Sequence, residues 1–310
     1  MDEETEKTET EKTETESVNF NKMADEWLQF KKTQIKESTY LNYRYIVKKR
    51  LMPKLNGIKI EELMRYNYNA LITELMDELS SKTVRDVAVI LKGILRFSEV
   101  KYDKNFKISL IATPVIYKKE AEIFKDAERK KLEAYCIKNV NSKTIGIFIC
   151  MYTGLRIGEI CALKWKDINF NQRCIMVTHT VQRVYKGKDN TEVIYTNPKT
   201  QRSVRSIPIS QTLYNYLKMQ NKNKNGENFI LTDNKDKYME PMCFRYSYKQ
   251  ILEQCAIKYK KFHCLRHTFA TRCIKVGMDV KSLSEILGHS SVNVTLNIYV
   301  HSSTSTKRLF

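Results

Sequence analysis

The chain has 310 residues, enough for about two domains, and with 42% hydrophobic and 29% charged residues it can bury a real core. Its net charge of +19 is far from ordinary and points to a polyanionic partner, because neutralising phosphates releases counterions and drives binding. The acidic N-terminus lacks an apolar stretch and no apolar run reaches about 18 residues, so neither a secretory signal nor a helical membrane span is expected, and the cytoplasm is the expected compartment.

Residues 1–17 are a Thr/Glu/Lys tail in which KTETE occurs twice. They carry a net charge of −6, leaving +25 on the other 293 residues. With no large apolar residue after Met1 they cannot offset their ordering entropy, so a disordered acidic tail is expected. Residues 18–108 read as helices. Ser38 is the expected N-cap of a helix over 39–51, with Tyr40, Tyr43, Ile46, Val47 and Leu51 at helical spacing and Pro53 ending it. A second helix starts near Ser81, with Val84, Val87, Leu91, Ile94 and Leu95 inward. The outer faces of these two helices carry Arg44, Lys48 and Lys49, and Arg85, Lys92 and Arg96, which are read as DNA contacts.

The helical pattern fades over 109–121, which contains Pro114 and reads as a linker. A second domain is expected over 122–300. It begins with helices near 126–139 and 143–152 and a turn at Thr153-Gly154. Alternation rich in Val, Thr, Tyr and Ile over 173–209 predicts a small antiparallel sheet, with Lys199 in the turn between its last two strands. Helices resume from about 211, and 301–310 form a short tail. The fold class expected is therefore mainly α: a helical domain, then a mixed α/β domain with a small antiparallel sheet.

Several residues in the second domain suit phosphodiester chemistry. Cleavage needs a nucleophile, cations at the non-bridging oxygens and a proton for the departing oxygen. Arg156 and Arg266 supply guanidiniums that stay charged and fork onto two oxygens. His263, Arg266 and His267 stand at i, i+3 and i+4, on one helical face. Lys199 is the candidate acid for a 5′ oxygen, Tyr299 the candidate nucleophile, and His263 or His289 the group that takes its proton or holds a phosphate oxygen. Glu159, three residues after Arg156, is equally an ordinary ion-pair partner for it. No Asp/Glu cluster for paired magnesium ions is evident, which favours covalent catalysis by a side chain. Eight scattered cysteines without a CxxC pair are expected to be free thiols, and His263, Cys264, His267 and Cys273 fit no common zinc spacing.

Taken in order, these segments resemble the tyrosine recombinase (phage integrase) family. Thr153-Gly154-Leu155-Arg156-Ile157-Gly158-Glu159 resembles its first arginine box, and His263-Cys264-Leu265-Arg266-His267 its H-x-x-R box. Leu287-Gly288-His289-Ser290 resembles the L-G-H motif, and Thr295-Leu296-Asn297-Ile298-Tyr299 the nucleophile segment; Lys199-Thr200 sits where the family keeps its hairpin lysine. The resemblance covers roughly 122–300, and 18–108 is similar to the family's core-binding domain. It implies a C-shaped clamp on double-stranded DNA and strand exchange in a homotetramer through 3′-phosphotyrosyl links at Tyr299, with Arg156, Lys199, His263, Arg266 and His289 around the phosphate. Neither cofactor, metal nor ATP is implied. With 17 residues before the first helix, the arm-binding module of larger integrases is expected to be missing, and the tail 301–310 is expected to grip a neighbouring subunit. Motif order leaves relaxation of the type IB topoisomerase kind open. A non-catalytic DNA-binding regulator would predict the loss of pocket residues, and none is lost. A mobile element is the expected setting, with inversion and chromosome dimer resolution as alternatives.

Overall fold

Helix starts follow the caps that the sequence supplies. A computed structural model describes residues 18–116, 121–187, 190–196 and 204–300, without the side chains of 185–187, 299 and 300. The expected acidic tail 1–17, the end of the linker at 117–120, Lys199 and the tail 301–310 lie outside the described residues. The chain divides into two compact units near Lys118.

The first unit is helical. Helix α1 (Phe20–Lys32) begins where the Asn19 side chain accepts from the Lys22 N–H, and α2 is Glu37–Ile46. Its N-cap is Lys36 rather than Ser38, and Pro53 does not end the run. A π turn (Val47–Leu51) leads straight into α3 (Met52–Leu55), where Pro53 lies in the first turn. There its missing N–H would have no partner within the helix anyway, so proline is tolerated. Short α4 (Ile60–Leu63) and α5 (Tyr68–Glu78) precede α6 (Ser81–Tyr102), which Ser80 caps through the Thr83 N–H. Val84, Val87, Ala88, Leu91, Ile94 and Leu95 line the buried stripe of α6. They pack with Phe20, Met23, Trp27, Leu51 and Leu75 into one core. At about 1.5–3 kcal/mol for each large apolar side chain fully removed from water, this stripe outweighs any propensity term in holding α6.

In the second unit α7 (Asp126–Lys138) leads to α8 (Ser142–Thr153), capped by Asn141, whose side chain accepts from the Lys143 and Thr144 N–H groups. Helix α8 is buried from Thr144 to Met151, so its apolar residues face every direction and it forms the centre of the unit. Around it stand α7, α9 (Ile157–Ala162), α10 (Gln211–Gln220), α11 (Pro241–Gln254) and α12 (His263–Lys275). Helix α13 (Val280–Leu287), α14 (Val292–Thr295) and a π turn (Leu296–Val300) follow.

Among the described residues the expected single sheet is two separate pieces. Strands β1 (Ile168–Asn169), β2 (Cys174–Val177) and β5 (Arg205–Pro208) form one antiparallel sheet; β3 (Thr180–Gly187) and β4 (Asn190–Thr196) form a two-stranded ribbon. Lys199, expected in the turn between the last two strands, falls in sequence between β4 and β5 and lies outside the described residues. In the larger sheet Ile175 pairs with Ile207 and Val177 with Arg205. Side chains alternate across a strand, so Arg205 and Ile207 share the buried face of β5. Among the described residues no helix is long and apolar enough to cross a membrane.

Candidate active site

Helix α8 ends because Gly154 takes the left-handed backbone (φ 65°), which a side chain would make costly. A Cβ there would also stand 2.6 Å from the Phe269 ring and 2.9 Å from Leu287. The turn delivers Arg156 to the N-cap of α9. The Glu159 carboxylate accepts from the Arg156 backbone N–H (2.8 Å) and from its Nη1 (2.9 Å). The ion pair weighed from sequence therefore exists, but it is only half of what Glu159 does. Arg205 Nη1 and Nη2 donate to the same two oxygens at 3.0 and 2.9 Å.

Helix α12 supplies Arg266, 1% exposed, and places His263 and His267 beside it with their rings edge to face, centroids 4.6 Å apart. The helix is tied at its outer side to the start of the unit. Phe124 N–H donates to Thr268 Oγ1 (2.8 Å), the Cys264 thiol donates to the Glu122 carboxylate (3.5 Å), and Lys260 pairs with Glu122 and Glu128.

The three arginines meet at the end of α13. Arg205 Nε donates to the Ile286 carbonyl (2.6 Å), Arg266 Nη2 to Leu287 (2.8 Å) and Arg156 Nη2 to Gly288 (2.8 Å). Three successive carbonyls at the negative end of a helix thus each receive one guanidinium. Arg266 Nη1 also donates to the Gly154 carbonyl (2.8 Å), joining the two turns. Gly288 is left-handed (φ 64°), and a Cβ on it would lie 3.1 Å from the Arg205 guanidinium. His289 follows, its Nδ1 sharing a 2.8 Å hydrogen bond with Thr295 Oγ1, which is fully buried. Thr295 ends α14, and the next turn carries the backbone of Tyr299.

Charge in this cluster is lopsided: three guanidiniums face one carboxylate. Burial opposes ionisation of Glu159, but the hydrogen bonds and charge of Arg205, then Arg156, hold its carboxyl below the usual range. Desolvation first, then Arg266 and Arg156, push His289 down to about 3. His263 is pushed down to about 4 by protein crowding around its ring, then by His267, Arg266 and Arg156. Its outer surface stays open to solvent. At neutral pH both imidazoles are proton acceptors beside fixed positive charge, which suits a phosphate and a phenol that must lose its proton.

Four of the six sequence-predicted site residues, Arg156, His263, Arg266 and His289, converge here. The backbone of Tyr299 lies one turn past Thr295, its side chain lying outside the described residues, as does Lys199. Arg205 and Thr295 were missed as site residues. The available signal for Arg205 was a charged residue on the inward register of a strand ending in Ile207-Pro208. Of the predicted DNA contacts, Lys48, Lys49, Arg85 and Arg96 are exposed and Arg44 is half-buried. Lys92 donates to Thr113 Oγ1 (2.7 Å), and burial and then Arg96 lower its pKa; Arg85 reaches the Pro114 carbonyl at 3.5 Å.

Comparison with known proteins gives concordant matches. Residues 115–306 match the model of the phage integrase family, and residues 19–76 that of the phage integrase N-terminal SAM-like domain. A tyrosine recombinase XerC-like protein of Caldanaerobacter subterraneus subsp. tengcongensis is 31% identical over 274 residues, covering 80% of this chain and 68% of that one. The transposase of transposon Tn916 from Enterococcus faecalis is 29% identical over 174 residues, 51% of this chain and 42% of its own length. Among solved structures, the Tn1549 transposon integrase in complex with circular intermediate DNA superposes with a TM-score of 0.74 at 25% identity, covering 94% of this chain and 98% of that one. A lambda integrase dimer bound to a core site shares the fold, with a TM-score of 0.67 at 16% identity over 91% of this chain and 77% of that one.

Proposed function

Because the chain belongs to the phage integrase family of tyrosine recombinases and is a site-specific recombinase, we propose that it cuts and rejoins double-stranded DNA through a covalent link at Tyr299. The observation that carries this reading is the convergence of Arg156, Arg266 and Arg205 on three successive carbonyls, with two neutral imidazoles beside them.

The Tyr299 phenol oxygen attacks the scissile phosphorus as the bond to the 5′ oxygen breaks, leaving a 3′-phosphotyrosyl link and a free 5′ hydroxyl. The phenol proton passes to His263 or His289, and Lys199 protonates the departing 5′ oxygen. A 5′ hydroxyl from the partner strand then attacks the link in reverse, so bond energy is conserved and no nucleotide is consumed. Arg156, whose side chain is 38% exposed, meets the non-bridging oxygens; the enclosed Arg266 adds its charge from behind. Preorganised cations of this kind act where charge develops in the transition state. Double-stranded recombination sites and a homotetramer are the partners this reaction requires. The transposon origin of the Tn916 and Tn1549 relatives supports a mobile element as the setting.

Incubating the protein with negatively supercoiled plasmid without ATP, then denaturing in SDS, tests the reading. Wild type should relax the plasmid slowly and stay attached to DNA, and Tyr299→Phe should do neither while binding DNA as before. Attachment that persists in Tyr299→Phe would sink the assignment of the nucleophile.

A further inference from the structure

Arg205 is the one guanidinium of the cluster that the proposed reaction does not employ, yet it is the most completely engaged. It opens β5 on the buried face opposite Val177, and its side chain is 7% exposed. Its two terminal nitrogens hold both oxygens of Glu159 and its Nε holds the Ile286 carbonyl. The same Glu159 oxygens hold Arg156, and two residues beyond Ile286 the Gly288 carbonyl accepts from Arg156 again. The chain has glycine at 288, where a Cβ would press on the Arg205 guanidinium at 3.1 Å.

We propose that Arg205 is a positioning residue for strand cleavage: by clamping Glu159 and the end of α13 it sets where Arg156 and His289 stand against the scissile phosphate. The physical need is charge. A buried carboxylate demands a cation. With Arg205 covering both oxygens, Glu159 holds the Arg156 guanidinium through Nη1 alone and leaves the rest of its charge to phosphate; without Arg205, Glu159 draws that guanidinium wholly onto itself. This role rests on the reading that Arg156 and His289 face the phosphate.

The test compares covalent attachment to supercoiled plasmid for wild type, Arg205→Met, Arg205→Lys and the double variant Arg205→Met/Glu159→Gln, each first shown to be folded by its circular dichroism melt. Misplacing a catalytic group by about 1 Å costs on the order of 100-fold, so Arg205→Met should lose roughly that in rate at saturating DNA. The DNA concentration giving half-maximal rate should change by less than about 3-fold, since ground-state binding is left intact. Arg205→Lys, which keeps one charge on Glu159, should fall between. Removing the stranded carboxylate in the double variant should restore about 10-fold, as coupled neighbours do. An ordinary structural ion pair gives the opposite pattern: rate, DNA binding and melting temperature fall together, and Glu159→Gln restores nothing. That pattern, or an unchanged rate in Arg205→Met, would overturn the role. Folded wild type that never attaches to DNA would overturn the reading of the site itself and this role with it.

Discussion

Glu159 and the histidines make the site sensitive to pH in a definite direction. In the unfolded chain an imidazole takes up its proton near pH 6.5, whereas the folded site refuses it until about 4 at His263 and about 3 at His289, and His267 is lowered as well. Between those values the unfolded state binds more protons, so stability rises with pH up to about 6.5 and is flat above it. Glu159, held below the usual carboxylate range, adds a loss only at lower pH, as acid begins to neutralise it. Thermal melts should therefore show a falling midpoint from pH 7 to pH 5, and His263→Asn/His289→Asn should flatten that stretch of the curve. A wild-type midpoint that does not change between pH 5 and pH 7 would contradict the lowered proton affinity of these rings.

At the scale of elements, the site is assembled by helix ends. Gly154 stops α8 and Gly288 stops α13, both with left-handed backbone, and each places its carbonyl in front of an arginine. Gly154→Ala should cost about 1–2 kcal/mol for the backbone alone, and more because Phe269 and Leu287 stand in the way of the new methyl group. Urea unfolding of the variant would measure it, and a loss below about 0.5 kcal/mol, the scatter of neutral surface changes, would show that the turn yields. These ends explain what the sequence disclosed. Arg156, His263, Arg266 and His289 could be picked out because each sits at a fixed offset from a turn or on one helical face, so the pattern is local. Helix α6 was legible for the same reason: its apolar residues repeat at helical spacing over more than three turns. Arg205 was hidden because its meaning depends on Glu159, 46 positions away, and on a carbonyl of α13, 81 positions away. A lone arginine in a four-residue strand otherwise reads as a solvated face. The division of the strands into a sheet and a separate ribbon was equally beyond reach, because alternation marks strands but not their partners. Pro53 misled for a simpler reason, since a proline ends one helix and begins the next with equal ease.

For the whole molecule, the excess of positive charge sets how it meets DNA. The logarithm of affinity should fall linearly with the logarithm of salt concentration, by roughly 0.9 per phosphate neutralised. Alanine at Lys48 or Lys49, both exposed, should reduce that slope by about one each. Alanine at Lys92 should reduce it less, because its ammonium already donates to Thr113. Equal slopes for the three variants would show that the Thr113 bond gives way to phosphate. The same molecule also shows where its second unit begins as a folding entity. Family matching places that start near residue 115 and the first helix begins at Asp126; the bonds side with the earlier start. Glu122 and Phe124 belong to no helix or strand, yet they are fastened to Cys264 and Thr268 on the helix that presents His263 and Arg266. A fragment cut at Asp126 would keep every regular element of the unit and still unfasten the back of its active helix. One cut a few residues earlier would not, so the working edge of this half of the protein is a stretch of plain loop.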